Sequence, residues 1–403
     1  MSIKAKFRFQ TCRGFDSMPA LHPVRPADER DLIDAITQAA ERGQSLQVLG
    51  GGSKAAIGAP TDARRLDMTG FCGVVDYDPP ELVLTVRPGT PLSEVKAVVA
   101  SANQMLAFDP FDHGAIFGVG GGAATIGGVV AAGVSGSQRL SCGAARDHLL
   151  GFRAVSGRGE AFIAGGKVVK NVTGYDLPKL AAGSWGRLFA LTEITLKVLP
   201  RPQMAATYVI AGQTPEQAVK AMALAVGSRA EVAAAAYRPA SRTDLSLTAL
   251  RLQGFAPSVT ARGAMLTAVL SGYGNVDVLA EGEADAFWQN LHTLGSLGGD
   301  RPLWRVNVPP SHGPQIVRSV QTAVADWMFD WAGGLVWLAT DADHKFVRDA
   351  AASCGGHAIL VRAPETVRKD VPAFQPLSAG VAALEARVRQ AFDPKGVFAT
   401  GRF

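Results

Sequence analysis

Two periods of hydrophobic spacing run through this chain. Leu32, Ile33, Ile36 and Ala40 recur at helical intervals, with Asp28 placed to cap the helix and Gly43 to end it. A strand is expected over 46–49, and alternation over 81–87 predicts another. There Pro88, Gly89, Thr90 and Pro91 turn the chain into a helix, with Thr90 as cap and Pro91 at the first helical position. Strands are expected over 150–155 and 188–198, and then Pro200, Arg201 and Pro202 stop regular structure and mark a domain boundary. Beyond it, Thr214, Pro215 and Gln217 give a capping-box helix start, and strands are expected over 304–308, 335–339 and 358–361. The first half reads as mixed α/β and the second as an α+β layer, one sheet with helices on one face.

At 403 residues, the chain is long enough for two domains, each with its own core. Hydrophobic residues make up 47% and charged residues 19%, which excludes disorder over most of the length. The 40 Lys and Arg against 35 Asp and Glu are spread out rather than gathered in a basic block, so nucleic acid is not implied. Residues 1–15 carry Lys4, Lys6, Arg8 and Arg13 without a signal-peptide apolar core, and no apolar run reaches membrane-spanning length, so a cytoplasmic protein is expected. Cys12, Cys72, Cys142 and Cys354 are far apart, as reduced thiols are, and supply no iron–sulfur ligand set. No histidine spacing suggests a metal, and the sequon at Asn171 is a coincidence of letters in a cytosolic chain. Trp288, Trp304, Trp327, Trp331 and Trp337 all fall in the second half, where they either fill a core or face a partner.

The chemistry concentrates in glycine. Gly118, Gly120, Gly121, Gly122, Gly127, Gly128, Gly133, Gly136 and Gly143 are interleaved with residues that want burial, among them Ala124, Ile126, Val129 and Val130. This is no linker composition; it predicts backbone packed against a large, flat, phosphate-bearing ligand. Earlier, the strand over 46–49 runs into Gly50, Gly51, Gly52 and Ser53, where successive amides can converge on an anion and Ser53 and Lys54 can add a hydroxyl and an ammonium. Neither cluster has P-loop spacing, which argues against ATP. Gly118, Gly120 and Ala123 fit the dinucleotide pattern G-x-G-x-x-A, but residues 108–114 before them read as loop rather than the buried strand that pattern needs, so no use of NAD is expected.

Three segments in order, LGGGSKAAIG at 49–58, ATIGGVVAAGVSG through CGAARDHLLG at 124–151, and KNVTGYDLPKLAAGSWGRLFALTEITLKVLPRP at 170–202, resemble the FAD-binding domain of the vanillyl-alcohol oxidase and p-cresol methylhydroxylase superfamily. Within it the chain resembles the FAD-binding subunits of bacterial glycolate oxidase, through GSK at 52–54, VKNVTGYDLPKL, LTEITLKVLPRP and the ending FDPKGVFATGRF. The resemblance implies an α+β fold: an N-terminal extension at 1–21, a PCMH-type FAD-binding domain of two α/β subdomains at 22–201, and an α+β cap at 202–403. It implies that Gly50, Gly51, Gly52, Ser53 and Lys54 hold the pyrophosphate from one side, with Thr125, Ile126, Gly127 and Gly128 opposite and Gly120, Gly121 and Gly122 beside them. Pro88, Gly89 and Thr90 would lie near the adenine or ribose, and Leu191 would line the flavin. Some relatives tether flavin through a His after the first glycine turn; Ser53 stands there, so non-covalent FAD is expected.

The implied activity is oxidation of a small 2-hydroxy acid, glycolate in the first place, with the cofactor carrying the electrons. The implied partners are a second flavin-type subunit and an iron–sulfur subunit, through which the chain would be attached to the inner membrane. The alternative is an assembly or electron-transfer subunit whose flavoprotein partner oxidises the substrate. The metal-binding histidine set of the D-hydroxyacid dehydrogenase branch is missing, and the resemblance assigns no catalytic residue. Lys170, Asn171, Tyr175 and Asp176 are polar candidates near the flavin, or Tyr175 and Asp176 fix a turn. Arg305, beside Trp304, is either the cation for a substrate carboxylate or a structural arginine.

Overall fold

The computed structural model describes residues 22–166, 174–320 and 325–403. The helix Glu29–Arg42 forms as its caps dictate: the Asp28 carboxylate accepts from the Asp31 amide, and Gly43 takes the left-handed conformation at φ 61°. Its buried face, Leu32, Ile36 and Ala39, covers a parallel pair, β1 (Leu46–Leu49) and β2 (Arg64–Asp67). The chain's last residues complete this small subdomain. The Leu46 amide donates to the Val397 carbonyl (2.7 Å), the Ala399 amide donates to the Leu46 carbonyl (3.0 Å), and Val397 and Phe398 are buried in the same core.

The second subdomain is an antiparallel sheet. Its strands are β3 (Val74–Asp78), β4 (Val83–Val86), β6 (Leu149–Ser156), β7 (Ala161–Gly165) and β8 (Phe189–Lys197), ordered β3-β4-β8-β6-β7. A two-residue pair, β5 (Gln104–Met105) with β9 (Leu199–Pro200), closes its edge. The expected cap at Thr90 is not used. The helix Leu92–Ser101 starts from Pro91 without a side-chain cap, because the Thr90 hydroxyl is buried between the Gly73 and Arg87 backbones.

Past the Pro200–Pro202 stop, eight antiparallel strands form the cap: β10 (Met204–Ala211), β11 (Ala234–Arg238), β12 (Leu247–Gly254), β13 (Asp277–Val278), β14 (Leu303–Asn307), β15 (Ala325–Asp330), β16 (Leu335–Thr340) and β17 (His357–Arg362), in the order β13-β10-β12-β11-β15-β16-β14-β17. The capping box at Thr214 and Gln217 opens its first helix, Pro215–Val226. Strand periodicity sorts the two faces: Val336 and Leu338 meet the outer helices, while Leu335, Trp337 and Ala339 join the hydrophobic core shared with the FAD-binding sheet. Helices are not confined to the outer face, since Glu281–Thr293 wedges Trp288 and Leu291 into that shared core. Trp288, Trp304, Trp331 and Trp337 are buried and Trp327 is half-buried, so these rings fill the interior rather than form an exposed patch. The helix Ala379–Phe392 and everything after it leave the cap and pack on the first two subdomains, where the Phe392 ring packs against Phe189 and Phe162. The range 202–403 therefore contains a cap and a returning segment.

Candidate cofactor site

The two glycine segments meet. A Cβ on Gly51 would overlap the Ala123 carbonyl oxygen, one on Gly50 would overlap the Thr125 hydroxyl, and one on Gly127 would come within 2.5 Å of the Pro88 side chain. These glycines are there so that one turn can lie against the other. Gly52 differs: at φ 77° its Cβ position is open space. Between the turns runs a cleft. Gly50, Gly51, Gly52, Ser53, Lys54, Pro88, Thr125, Gly127, Gly128 and Leu191 line it, as expected from the sequence.

Six expected residues lie elsewhere. Gly89 packs against the Met68 and Phe71 carbonyls, Thr90 is fully buried, and Ile126 is a core side chain. Gly120, Gly121 and Gly122 form an exposed turn beyond the cleft lining, and the Gly122 and Ala124 amides already donate to Asp112 Oδ2, at 2.9 and 3.2 Å. Of the substrate candidates, Lys170 and Asn171 fall outside the described residues, and Tyr175 is 92% exposed. Asp176 caps the short helix Leu177–Ala181 through the Lys179 amide, the turn-fixing role. Arg305 lies in a separate cavity on the cap side.

Two cations decide what the cleft can hold. Lys54 is buried, its ammonium donating to the Ser53 hydroxyl at 3.2 Å. Arg402 is buried beside it, donating from Nη2 to the Lys54 carbonyl at 3.2 Å, with its guanidinium carbon 5.0 Å from the centre of the Trp185 ring. No carboxylate among the described residues forms an ion pair with either, and Arg402 Nε is buried without a hydrogen-bond partner. Burial holds the Lys54 pKa down at about 8, Asp112 pulling it back up and Arg402 pushing it further down; burial brings Arg402 to about 10. Buried charges demand a counter-charge, so this donor set fits the diphosphate of a dinucleotide. Trp185, at φ 57°, and Leu191 give the cleft an apolar wall. Sequence reading missed Arg402 and Trp185. Arg402 lies 348 residues from the turn it serves, and nothing in the local pattern around Trp185 distinguishes it from an ordinary core tryptophan.

Residues 20–165 match the family model described as FAD binding domain. The glycolate oxidase subunit GlcE of Escherichia coli is 35% identical over 379 residues, which cover 92% of this chain and 96% of that protein. The chain belongs to the GlcE family. Its cofactor is FAD, and the chain is an FAD-dependent oxidoreductase. Other relatives match a smaller share of the chain: the glycolate oxidase subunit GlcD of Bacillus subtilis is 32% identical over 130 residues, 32% of this chain and 26% of that one. The D-lactate dehydrogenase of Archaeoglobus fulgidus is 27% identical over 197 residues, 49% of this chain and 42% of its own length. In fold, the chain is similar to alkyldihydroxyacetonephosphate synthase, with a TM-score of 0.68 over 94% of this chain and 76% of that one at 16% identity.

Proposed function

We propose that this chain is the FAD-binding subunit of a complex that oxidises glycolate to glyoxylate and passes the electrons to an iron–sulfur subunit. The observation that carries the reading is the pairing of whole-length similarity to a glycolate oxidase subunit with a cleft whose buried cations, Lys54 and Arg402, lack carboxylate partners among the described residues. FAD, when bound, supplies the two-electron acceptor that conversion of an alcohol to a carbonyl requires. The chain's own residues would do the holding. Lys54 and Arg402 neutralise the diphosphate, Gly50 to Ser53 and Thr125 to Gly128 form the two walls around it, and Trp185 and Leu191 exclude water from the apolar part. Ser53, in place of a tethering His, leaves the cofactor non-covalent. None of the helices among the described residues is long and apolar enough to cross a membrane, so attachment to the inner membrane would run through partner subunits.

A second reading has a specific observation behind it: a GlcD chain, also named a glycolate oxidase subunit, is 32% identical to this one over 130 residues. A flavin-type partner would then oxidise the substrate, and this chain would hold FAD for assembly or electron transfer. Adding glycolate without oxygen to the purified FAD-loaded chain separates the two. Bleaching of the flavin spectrum establishes self-sufficient oxidation. An unbleached spectrum assigns the chemistry to the partner.

A further inference from the structure

A second, open cavity lies between the cap and the FAD-binding lobe. It adjoins the cofactor cleft: Ala132 lines both, and Gly183 on its wall is followed by Ser184 on the wall of the cleft. Arg305 on β14 and Arg139 from the FAD-binding lobe both reach the Trp331 ring, their guanidinium carbons 5.1 and 4.2 Å from its centre. Trp331 is held in place, its Nε1 donating to the Gly136 carbonyl at 3.0 Å and its amide to Asp330 Oδ1 at 2.7 Å.

Neither guanidinium makes a hydrogen bond or ion pair with any described residue. Arg139 is exposed and Arg305 half-buried, and desolvation with the charge of Arg139 lowers the Arg305 pKa to about 10. The opposite charge acting on Arg305 is that of Asp330, whose carboxylate is already taken up by the Ser137 hydroxyl at 2.8 Å and the Trp331 amide. The other facing groups add no negative charge at the centre. Arg146 at the rim pairs with Asp147, Asn307 is neutral, and burial and Arg305 hold His357 towards its neutral form. Two cations from two lobes thus converge on one aromatic ring, and among the described residues neither has a carboxylate hydrogen-bonded or ion-paired to it.

We propose that Arg139 and Arg305 form the subsite for the carboxylate of a small hydroxy acid, with Trp331 as its platform. A guanidinium presents paired donors that match a planar carboxylate, and the ring keeps both forks oriented before the ligand arrives. Because one arginine comes from each lobe, the subsite exists only while cap and FAD-binding lobe are docked. The choice of a hydroxy acid rests on the function proposed above; the anion subsite itself rests on this geometry.

The test uses the full FAD-loaded chain and oxalate, a carboxylate that cannot be oxidised by the same route. Oxalate binding is read by calorimetry and by perturbation of the flavin spectrum in the wild type, R139M and R305K. The wild type should bind, and each substitution should weaken oxalate by about ten- to a hundredfold, the loss expected for a charged hydrogen bond, with FAD content unchanged because both residues lie outside the cofactor cleft. R305K keeps the charge and loses the fork, and R139M alters an exposed side chain, so neither result depends on a misfolded variant. Failure of the wild type to bind oxalate, or equal affinity in all three proteins, overturns the subsite. Arginine-dependent oxalate binding without flavin reduction by glycolate keeps the subsite and removes the substrate-oxidising reading. Glycolate reduction at equal rates in all three does the reverse.

Discussion

Arg402 donates from its guanidinium to the backbone carbonyl of Lys54, so the glycine turn that opens the fold is closed by a residue that follows the whole cap in the chain. The two side chains then act as a pair, the charge of Arg402 lowering the affinity of Lys54 for a proton until an anion arrives.

Replacing Arg402 with Met should weaken FAD by about ten- to a hundredfold, the range for losing a hydrogen bond to a charged group. Fluorescence titration of the apoprotein with FAD measures this. An unchanged dissociation constant would remove Arg402 from the cofactor site.

Lys54 should make FAD binding pH-dependent. Its buried ammonium has a pKa of about 8, and a diphosphate favours the charged form, so FAD affinity falls as pH rises through 8. Stability of the apoprotein runs the other way. Between about 8 and the ordinary lysine value of 10.5 the unfolded chain holds the extra proton, so this group's contribution to stability rises with pH. Lys54→Met should flatten both trends, seen in FAD titrations and thermal melts across that interval.

Gly51→Val and Gly127→Val should cost the fold as well as the cofactor, since each Cβ is blocked by the opposing turn. Destabilisation of about 1–3 kcal/mol or more is expected from overpacking of this kind. Gly52→Ala, facing open space at φ 77°, should cost only about 1–2 kcal/mol of backbone strain and leave a folded protein. Circular dichroism melts rank the three. A Gly51→Val protein with wild-type stability would contradict the turn-against-turn packing.

Burial raises the Asp330 pKa to about 6, partly offset by its hydrogen bonds from Ser137 and Trp331. From 3.8 up to about 6 the folded state binds the proton more tightly, so stability contributed by this group is lost as pH climbs through that window. Asp330→Asn should therefore raise Tm at pH 7.5 by about 1–2 °C, on the order of 1 kcal/mol for a chain of this length, and remove the slope between pH 4 and 6. A lower Tm would show the carboxylate to be stabilising.

Acid precipitation of the FAD-loaded protein should leave the yellow chromophore in the supernatant, because Ser53 cannot form the link that a His at this position would. Colour retained in the pellet would require a covalent attachment at another residue.

The glycine density was legible in the sequence because close packing leaves a local mark, and so were the Asp28 helix, the Thr214 capping box and three of the eight cap strands, β14, β16 and β17. The reason for the glycines was only half legible. A sequence shows that Gly51 and Gly127 carry no side chain, but not that the neighbour requiring this is the Ala123 carbonyl or Pro88. Thr90 matched a helix cap by position, and its hydroxyl found stronger partners across the subdomain in Gly73 and Arg87. Arg402, Trp185 and the Arg139–Arg305 pairing leave no periodic trace, since each depends on segments far apart in the chain or on one unusual backbone angle.

The return of residues 393–403 to the first subdomain also sets an order of events on the ribosome. Residues 46–49 emerge early, yet the segment beside them and the second cation of the cleft are made only after the whole cap has been synthesised. At about 5–20 residues per second, the roughly 350 intervening residues take about 20–70 s. During that time the nascent chain offers a half-built cleft with Leu46 and its neighbours uncovered. If Arg402 serves the cofactor as proposed, flavin loading is a late step, and fusions that hold residues 396–402 away from Leu46 should yield protein of lower flavin content.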